Sequence, residues 1–159
     1  MRLGTLLDEL TFEVRPATDR DTQQIGRFLA EFRSTAPRRR GARDYFDFSH
    51  LVAHSSESES SEDSLVLLCL QGTDLLGIGA LRFGPREAVT RASLELFCSD
   101  ENRHATEVLQ LLIETAEVKA LSKDIHEVDV MSLPGDQPLK SSLEERGYRA
   151  RLLIMHRTI

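Results

Sequence analysis

The sequence predicts a single domain of the α/β class. Its 159 residues, 40% of them hydrophobic, are enough for one core and few for two. Apolar residues recur at every second position in some segments and at spacings of three and four in others, which is typical of strands and amphipathic helices. Because such segments alternate along the chain, we expect one domain over 12–159, preceded by an N-terminal extension over 1–11.

The charge balance and the lack of long apolar runs narrow the class of protein. The formal net charge is -6, so the overall field repels nucleic-acid phosphates and anionic membranes. No segment has the length of a membrane span or the pattern of a signal peptide. Cys69 and Cys98 lie in apolar, strand-like runs, as free buried thiols do. We therefore expect a cytoplasmic protein that binds neither nucleic acid nor membrane.

A short strand and a capped helix begin the domain. Phe12–Arg15 alternates apolar and charged residues and then meets Pro16, which predicts a strand that ends there. Thr18 and Asp21 have the spacing of a capping box, which predicts the start of a helix. The apolar face of this helix consists of Ile25, Phe28, Leu29 and Phe32. A second short helix is expected to end near His54.

An acidic loop and three antiparallel strands are predicted next. Residues 55–63 are only serine, glutamate and aspartate, so we expect a flexible loop. Ser64–Leu70 and Leu75–Phe83 flank a glycine turn and predict a hairpin, with Gly84 and Pro85 ending its second strand. The third strand, Ala92–Cys98, places Leu94, Leu96 and Cys98 on one face and Glu95 and Phe97 on the other.

The remaining chain predicts two helices and two strands. These are a long helix from about Ala105, a strand at Ile125–Met131, a short helix at Leu139–Arg146 and a last strand at Arg149–Arg157. Gly147 follows the short helix, where a residue with positive φ usually ends a helix. Because the last strand is apolar, it is expected either to complete the sheet or to pair with another subunit in a homodimer.

This order of elements, together with two segments, resembles the GNAT family of acyl-CoA N-acyltransferases. The segments are Leu94–Arg103 and Leu139–Tyr148, and the resemblance extends from Phe12 to Arg157. It implies a GNAT-like α/β (α+β) fold, with a mixed, mostly antiparallel sheet of six to seven strands and about four flanking helices. Strand pairing is inferred here from order alone, so a ferredoxin-like or other α+β fold is the alternative.

The resemblance also implies where acetyl-CoA, as co-substrate, would bind. In the family, the fourth strand leads into a loop of pattern R/Q-x-x-G-x-G/A whose amides receive the pyrophosphate. The corresponding residues here are Leu96, Phe97, Cys98, Arg103, His104, Ala105, Thr106, Glu107 and Val108, and Asp136 stands where the family has an asparagine that holds the pantetheine arm. Thr106 and Val108 replace small residues and are expected to narrow the loop. Leu143 replaces the family's proton-donating tyrosine.

Glu95 is the candidate general base, because it lies mid-strand beside the expected cleft. A glutamate on an open strand face is otherwise simply solvated, and His104 and His126 are weaker candidates. The arginines of 38–43 fit either a phosphate site or a partner for the acidic loop. The two cysteines and five histidines show no paired ligand spacing, so no metal site is expected.

Two functions follow from these residues. The first is an acyl-CoA-dependent N-acetyltransferase that acts on a primary amine of a small molecule or peptide. The alternative is a catalytically inactive GNAT-fold module that serves as a protein-binding or regulatory domain. The alternative arises because the positions that usually meet the cofactor or leaving group depart together, namely Thr106, Val108, Asp136 and Leu143.

Overall fold

The computed structural model describes residues 11–35, 64–86, 89–98, 102–131 and 136–150. These residues form five strands and three α-helices, with a short 3-10 turn at Asp19–Asp21. In chain order the elements are β1 (Phe12–Pro16), α1 (Thr22–Thr35), β2 (Ser64–Gln71), β3 (Asp74–Arg86), β4 (Val89–Cys98), α2 (Ala105–Leu121), β5 (Val128–Val130) and α3 (Gln137–Glu145).

The strands form one sheet in the order β1-β2-β3-β4-β5. The first four strands are antiparallel, with Leu68 opposite Ile78 and Ile78 opposite Phe97, whereas β5 runs parallel to β4. This confirms the mixed, mostly antiparallel sheet that the sequence predicts. A parallel neighbour requires a crossover connection, and α2 supplies it.

The core lies on both faces of the sheet. On one face, α1 packs against β2, β3 and β4, and the buried residues are Ile25, Leu29, Phe32, Leu68, Leu70, Ile78, Ala80 and Phe97. The rings of Phe32 and Phe97 meet edge to face, with centroids 5.5 Å apart. On the other face, α2 and α3 cover Leu94, Leu96 and Cys98. The alternation predicted for β4 is therefore confirmed.

Several predicted features lie outside the described residues. They are the helix ending near His54, the arginines of 38–43, the acidic loop at 55–63 and the last strand beyond Ala150. Within the described ranges, none of the helices combines the length and the apolar character needed to cross a membrane.

One predicted boundary is wrong, because β3 continues through Gly84 and Pro85 to Arg86. Pairing with β2 ends at Arg82, while pairing with β4 continues to the end of β3. Pro85 lies beyond the last residue of β3 that pairs with a described residue of β2.

Gly77 on β3 allows α2 to approach the sheet closely. A Cβ added at Gly77 would lie 2.6 Å from Val108 Cγ1 and 3.1 Å from Leu112 Cδ1. The side chain of Val108 is fully buried in this contact. Both faces of β3 are packed, so a side chain at this position could be accommodated only by moving α2 away from the sheet. The lack of a side chain at Gly77 therefore determines how closely the start of α2 packs on β3.

Gly77 also stands between the two cysteines, since Cys69 on β2 and Cys98 on β4 are both its register partners. Both cysteines are free thiols and both are buried. Burial raises the pKa of the Cys69 thiol to about 11. The thiol of Cys69 therefore stays protonated at neutral pH.

A buried carboxylate holds the start of α1. Asp21 accepts hydrogen bonds from Arg15 Nη1 and Nη2, at 2.8 and 2.7 Å, and from the N–H and hydroxyl of Thr18, at 2.7 and 2.8 Å. The predicted contact between Thr18 and Asp21 is thus present. The hydrogen bonds from Arg15 are the main reason that the pKa of Asp21 lies well below its usual range.

We expect Gly77→Ala to reduce the free energy of unfolding by about 1–3 kcal/mol, because the new methyl group overlaps Val108. In a chain that already carries Val108→Ala, the Gly77→Ala substitution should reduce the free energy of unfolding by less. Urea unfolding of the four chains of this double-mutant cycle measures the coupling. Gly79→Ala is the matched control, since its nearest neighbour would lie at an ordinary 3.5 Å. Equal losses in both backgrounds would contradict the contact.

We expect Asp21→Asn to cost about 2 kcal/mol at pH 7, because hydrogen bonds to a charged group are lost. The folded pKa of Asp21 is depressed, so its contribution is complete above the unfolded pKa of about 4 and is lost as pH falls below it. Urea unfolding at pH 7 and pH 3 should therefore show the difference from the unmodified chain shrinking with acidification. Asp19→Asn, an exposed change in the same turn, should have little effect at either pH. A constant difference would contradict the assignment.

Candidate active site

The described pairing between β4 and β5 is short. Their register pairs are Ala92 with Val128, Ser93 with Asp129 and Leu94 with Val130. The N–H of Met131 then donates to the carbonyl of Leu94 at 3.3 Å. β5 has ended at this point, whereas β4 continues for four more residues to Cys98. Among the described residues, the edge of β4 from Glu95 to Cys98 has no strand paired with it on this side, and we call this edge the opening.

Leu96 turns its backbone toward this opening. The N–H and C=O groups of a strand alternate between its two edges, and the carbonyl of Leu94 points toward β5. Two residues further on, the same edge carries the N–H and C=O of Leu96. Within the described ranges, neither group has a hydrogen-bond partner. The side chain of Leu96 is buried in the core, so only its backbone can meet a ligand.

Asn102 organises the turn that leads into α2. Its Oδ1 accepts a hydrogen bond from the N–H of His104 at 2.9 Å, and its carbonyl accepts from the N–H of Ala105 at 3.0 Å. Its Nδ2 lies 3.9 Å from the sulfur of Cys98. Asn102 was not among the predicted site residues, although an asparagine shortly before a helix is typical of such side-chain turns.

Two backbone amides at the start of α2 are available to an anion. The N–H of Val108 donates to the carbonyl of His104 at 2.9 Å, which begins the helical pattern. In the described part of the chain, the amides of Thr106 and Glu107 have no acceptor. Both residues are exposed. The first turn of a helix carries partial positive charge, so these amides are suited to a phosphate.

The expected narrowing of the loop by Val108 is wrong. Its side chain lies in the core against Gly77 and not in the turn. A β-branched residue fits here because its backbone is already helical and its methyl groups point toward the sheet. Thr106 does carry its side chain on the exposed side, where it borders the two amides.

Glu95 lies on the α1 face of β4, opposite Ala80 of β3 and two residues before Phe97. It is partly exposed, and it is the first residue of β4 beyond the end of pairing with β5. The side chains of Phe97 and Cys98 are buried, on opposite faces. The structure thus brings Glu95 to the opening, together with the backbone of Leu96.

Solved structures share this arrangement of strands and helices. A predicted acetyltransferase with acetyl-CoA from Clostridium acetobutylicum superposes with a TM-score of 0.69 at 9% identity, over 93% of this chain and 96% of its own. A ribosomal-protein-alanine N-acetyltransferase from Brucella melitensis biovar Abortus 2308 gives 0.66 at 11% identity, over 94% and 99%. The chain has the GNAT fold. A transcriptional regulator from Bacillus halodurans C-125 shares it with a TM-score of 0.69 at 20% identity, over 92% and 99%.

The structural matches confirm the resemblance to the GNAT family that the order of elements indicated, although comparisons of sequence do not detect it. No protein-family model and no curated protein matches it. At identities of 9 to 20%, the similarity lies in the path of the backbone. Side-chain chemistry at the opening must therefore be argued from this chain's own residues.

Arg103 and His104 lie in the turn that leads into α2. Arg103 Nε donates to His104 Nε2 at 3.0 Å, and the His104 ring meets the edge of Phe12 with centroids 5.5 Å apart. Arg103 is exposed, so its guanidinium is free to turn toward an anion at the neighbouring amides. His126, by contrast, lies beyond the far end of α2, 3.1 Å from Asp124.

Asp136 acts as the N-cap of α3, since its Oδ1 accepts a hydrogen bond from the N–H of Leu139 at 3.2 Å. The helix begins at Gln137, two residues earlier than predicted, because Pro138 is tolerated in a first turn, where N–H groups are unpaired. The side chain of Leu143 is buried in the core. This position therefore offers no hydroxyl group to the opening.

The far end of α3 is anchored to α2. Gly147, at φ +88°, donates to the carbonyl of Glu144 at 3.0 Å, and the N–H of Tyr148 donates to the carbonyl of Leu143 at 2.9 Å. Glu117 of α2 forms an ion pair with Arg146 and accepts a 3.0 Å hydrogen bond from the Tyr148 hydroxyl. Burial, together with Glu117, raises the pKa of Tyr148. The Tyr148 hydroxyl is therefore engaged in structure at this end of α3.

Proposed function

We propose that this chain is an acyl-CoA-dependent N-acetyltransferase that acts on a primary amine of a small molecule or peptide. One observation carries the proposal: in the described part of the chain, pairing between β4 and β5 ends at Leu94, and the amides of Thr106 and Glu107, at the start of the helix that follows β4, have no acceptor. An opening in the sheet next to a phosphate-binding helix start suits a long ligand with a pyrophosphate and a thioester at opposite ends.

The residues at the opening fit acetyl-CoA. The amides of Thr106 and Glu107, with Arg103 beside them, would hold the pyrophosphate, and the exposed N–H and C=O of Leu96 would hold the pantetheine arm. The burial of Val108 favours this fit, because it removes the bulk expected at the turn. Bound acetyl-CoA supplies an activated acetyl thioester. The acetyl-CoA found in the similar Clostridium acetobutylicum protein agrees with this choice of co-substrate.

Glu95 would accept the proton of the incoming ammonium, directly or through a water molecule. The amine nitrogen would then bond to the acetyl carbon as the bond from that carbon to sulfur breaks, and the second proton lost by the nitrogen would pass, through water, to the departing thiolate. A thiolate is a good leaving group, so positioning and a base are the main requirements. The hydrophobic Leu143 is compatible with such a reaction, since no protein acid is needed.

We expect acetyl-CoA to raise the melting temperature of the protein, since ligand at 100 times its Kd adds about 2.7 kcal/mol to the free energy of unfolding. Glu107 places a negative charge in the first turn of α2, next to the expected pyrophosphate. Glu107→Gln should therefore lower the Kd about two- to fivefold, as removal of one unfavourable charge near a helix start does. Thermal unfolding with and without acetyl-CoA measures the first effect, and isothermal titration calorimetry measures the second.

Glu114→Gln is the matched control for this titration, because it removes an equally exposed charge from α2 two turns further on. It should leave the Kd for acetyl-CoA unchanged. No response of the unmodified chain to millimolar acetyl-CoA would contradict the proposed function.

We expect Glu95→Gln to reduce kcat about 10²- to 10⁴-fold, the usual contribution of a general base. The Kd for acetyl-CoA should stay the same, because the cofactor contacts are backbone groups on other residues. Release of coenzyme A in the presence of an accepted amine measures kcat. An unchanged kcat across pH 6–9 would exclude Glu95 as the base and assign the proton to water.

A catalytically inactive module with the GNAT fold is the second candidate. Two features favour it: Glu107 opposes an anion at the helix start, and Leu143 is a core residue. The similar transcriptional regulator from Bacillus halodurans C-125 is consistent with a regulatory role on this fold. The acetyl-CoA titration separates the two candidates, because only the enzyme requires saturable binding.

A further inference from the structure

The α1 face of the sheet becomes charged where α1 no longer covers it. Register places Arg82 opposite Ser93, Ser93 opposite Asp129, and Glu95 opposite Ala80. Together with their neighbours, these residues form a polar strip, which we define as Arg82, Arg91, Ser93, Glu95, Glu127 and Asp129. The strip borders the opening between β4 and β5 and contains the proposed general base.

The two arginines of the polar strip differ in their surroundings. Arg91 is neutralised, since its Nε lies 2.9 Å from Glu127 Oε2 and its Nη1 lies 3.7 Å from Asp129 Oδ2. Arg82 is only partly exposed, its Nη2 is buried, and within the described ranges this nitrogen has no hydrogen-bond acceptor. Buried guanidinium groups in folded proteins are nearly always paired, so an orphaned nitrogen requires an explanation.

Arg82 lies close to Glu95. The two residues are diagonal neighbours on β3 and β4, a relationship that separates α-carbons by about 7–8 Å and leaves long side chains within reach of one another. Arg82 nevertheless forms no ion pair with any residue that the structure describes. Arg82 therefore has no carboxylate partner among the described residues, although Glu95 occupies the diagonal position on β4.

We propose that the acceptor amine also carries a carboxylate, and that Arg82 binds this carboxylate while Glu95 receives the ammonium proton. The inference rests on the proposed acetyltransferase function and specifies its substrate class. The class comprises α-amino acids and amino acids in which a few more carbons separate the amine from the carboxylate. A guanidinium presents paired N–H donors that match a carboxylate, so this ligand supplies the acceptor that Arg82 lacks. A simple cationic amine or a polyamine would leave Arg82 unpaired and add a repulsive charge.

Pairs of amines that differ only in the carboxylate test the inference. L-Alanine is compared with ethylamine, and L-phenylalanine with 2-phenylethylamine, while β-alanine and 4-aminobutyrate vary the spacer. Binding to the protein without acetyl-CoA is followed by NMR titration, and coenzyme A release is followed with acetyl-CoA present. In the unmodified chain, the carboxylated member of at least one pair should bind about 10- to 100-fold more tightly, as expected for a charged hydrogen bond.

Arg82→Gln should abolish this preference, and Arg82→Lys should retain part of it, since the positive charge remains. Arg91→Gln is the matched control: it changes an arginine of the same strip that already has partners, and the preference should survive. Thermal unfolding of each variant shows that it is folded. If Arg82→Gln does not fold, the comparison of paired amines in the unmodified and Arg82→Lys chains decides the matter.

The outcomes separate the two proposals. Equal binding of both members of every pair, or a preference that persists in Arg82→Gln, overturns the carboxylate site. Acetyl transfer to amines regardless of a carboxylate also overturns it, and leaves the acetyltransferase function standing. Arg82-dependent binding of an amino acid, without any response to acetyl-CoA, supports the carboxylate site and overturns the acetyltransferase function.

Discussion

The close contact between α2 and Gly77 is the constraint on which the site depends. A helix that connects two parallel strands can begin near the sheet only where the sheet has room for it, and Gly77 provides that room for Val108. This contact fixes the position of the turn that Asn102 stabilises by hydrogen bonds. It also fixes the position of the amides of Thr106 and Glu107. A bulkier residue on β3 would lift the start of α2 away from the opening.

Periodicity and turn chemistry predicted most of the fold. The alternation along β4 correctly placed Glu95 and Phe97 on the face opposite Leu94 and Leu96, and the Thr18 and Asp21 spacing marked the start of the first helix. These features are local, because each is decided by residues a few positions apart. Arg15 was not predicted as a partner of Asp21, since a bidentate ion pair depends on how a strand and a turn meet in space.

The candidate site was harder to predict, because its decisive contacts join distant parts of the chain. Val108 suggested an obstructed loop when judged from its own segment, whereas its true neighbour is a glycine 31 positions earlier. The unpaired guanidinium of Arg82 depends on strand register, which the sequence does not specify. The resemblance to the GNAT family was correct, but it could not show what the altered positions do, because a motif records which residues are present and not the residue against which each one packs.

The position of Gly77 between Cys69 and Cys98 has a practical consequence. Two strand spacings separate the cysteine α-carbons by about 10 Å, well beyond the reach of a disulfide bond. Because both sulfurs are enclosed, and that of Cys69 resists ionisation, colorimetric thiol reagents encounter little reactive protein sulfur while the native state persists. The folded protein therefore contributes little absorbance of its own when such a reagent is used to detect a thiol that is released from a small molecule.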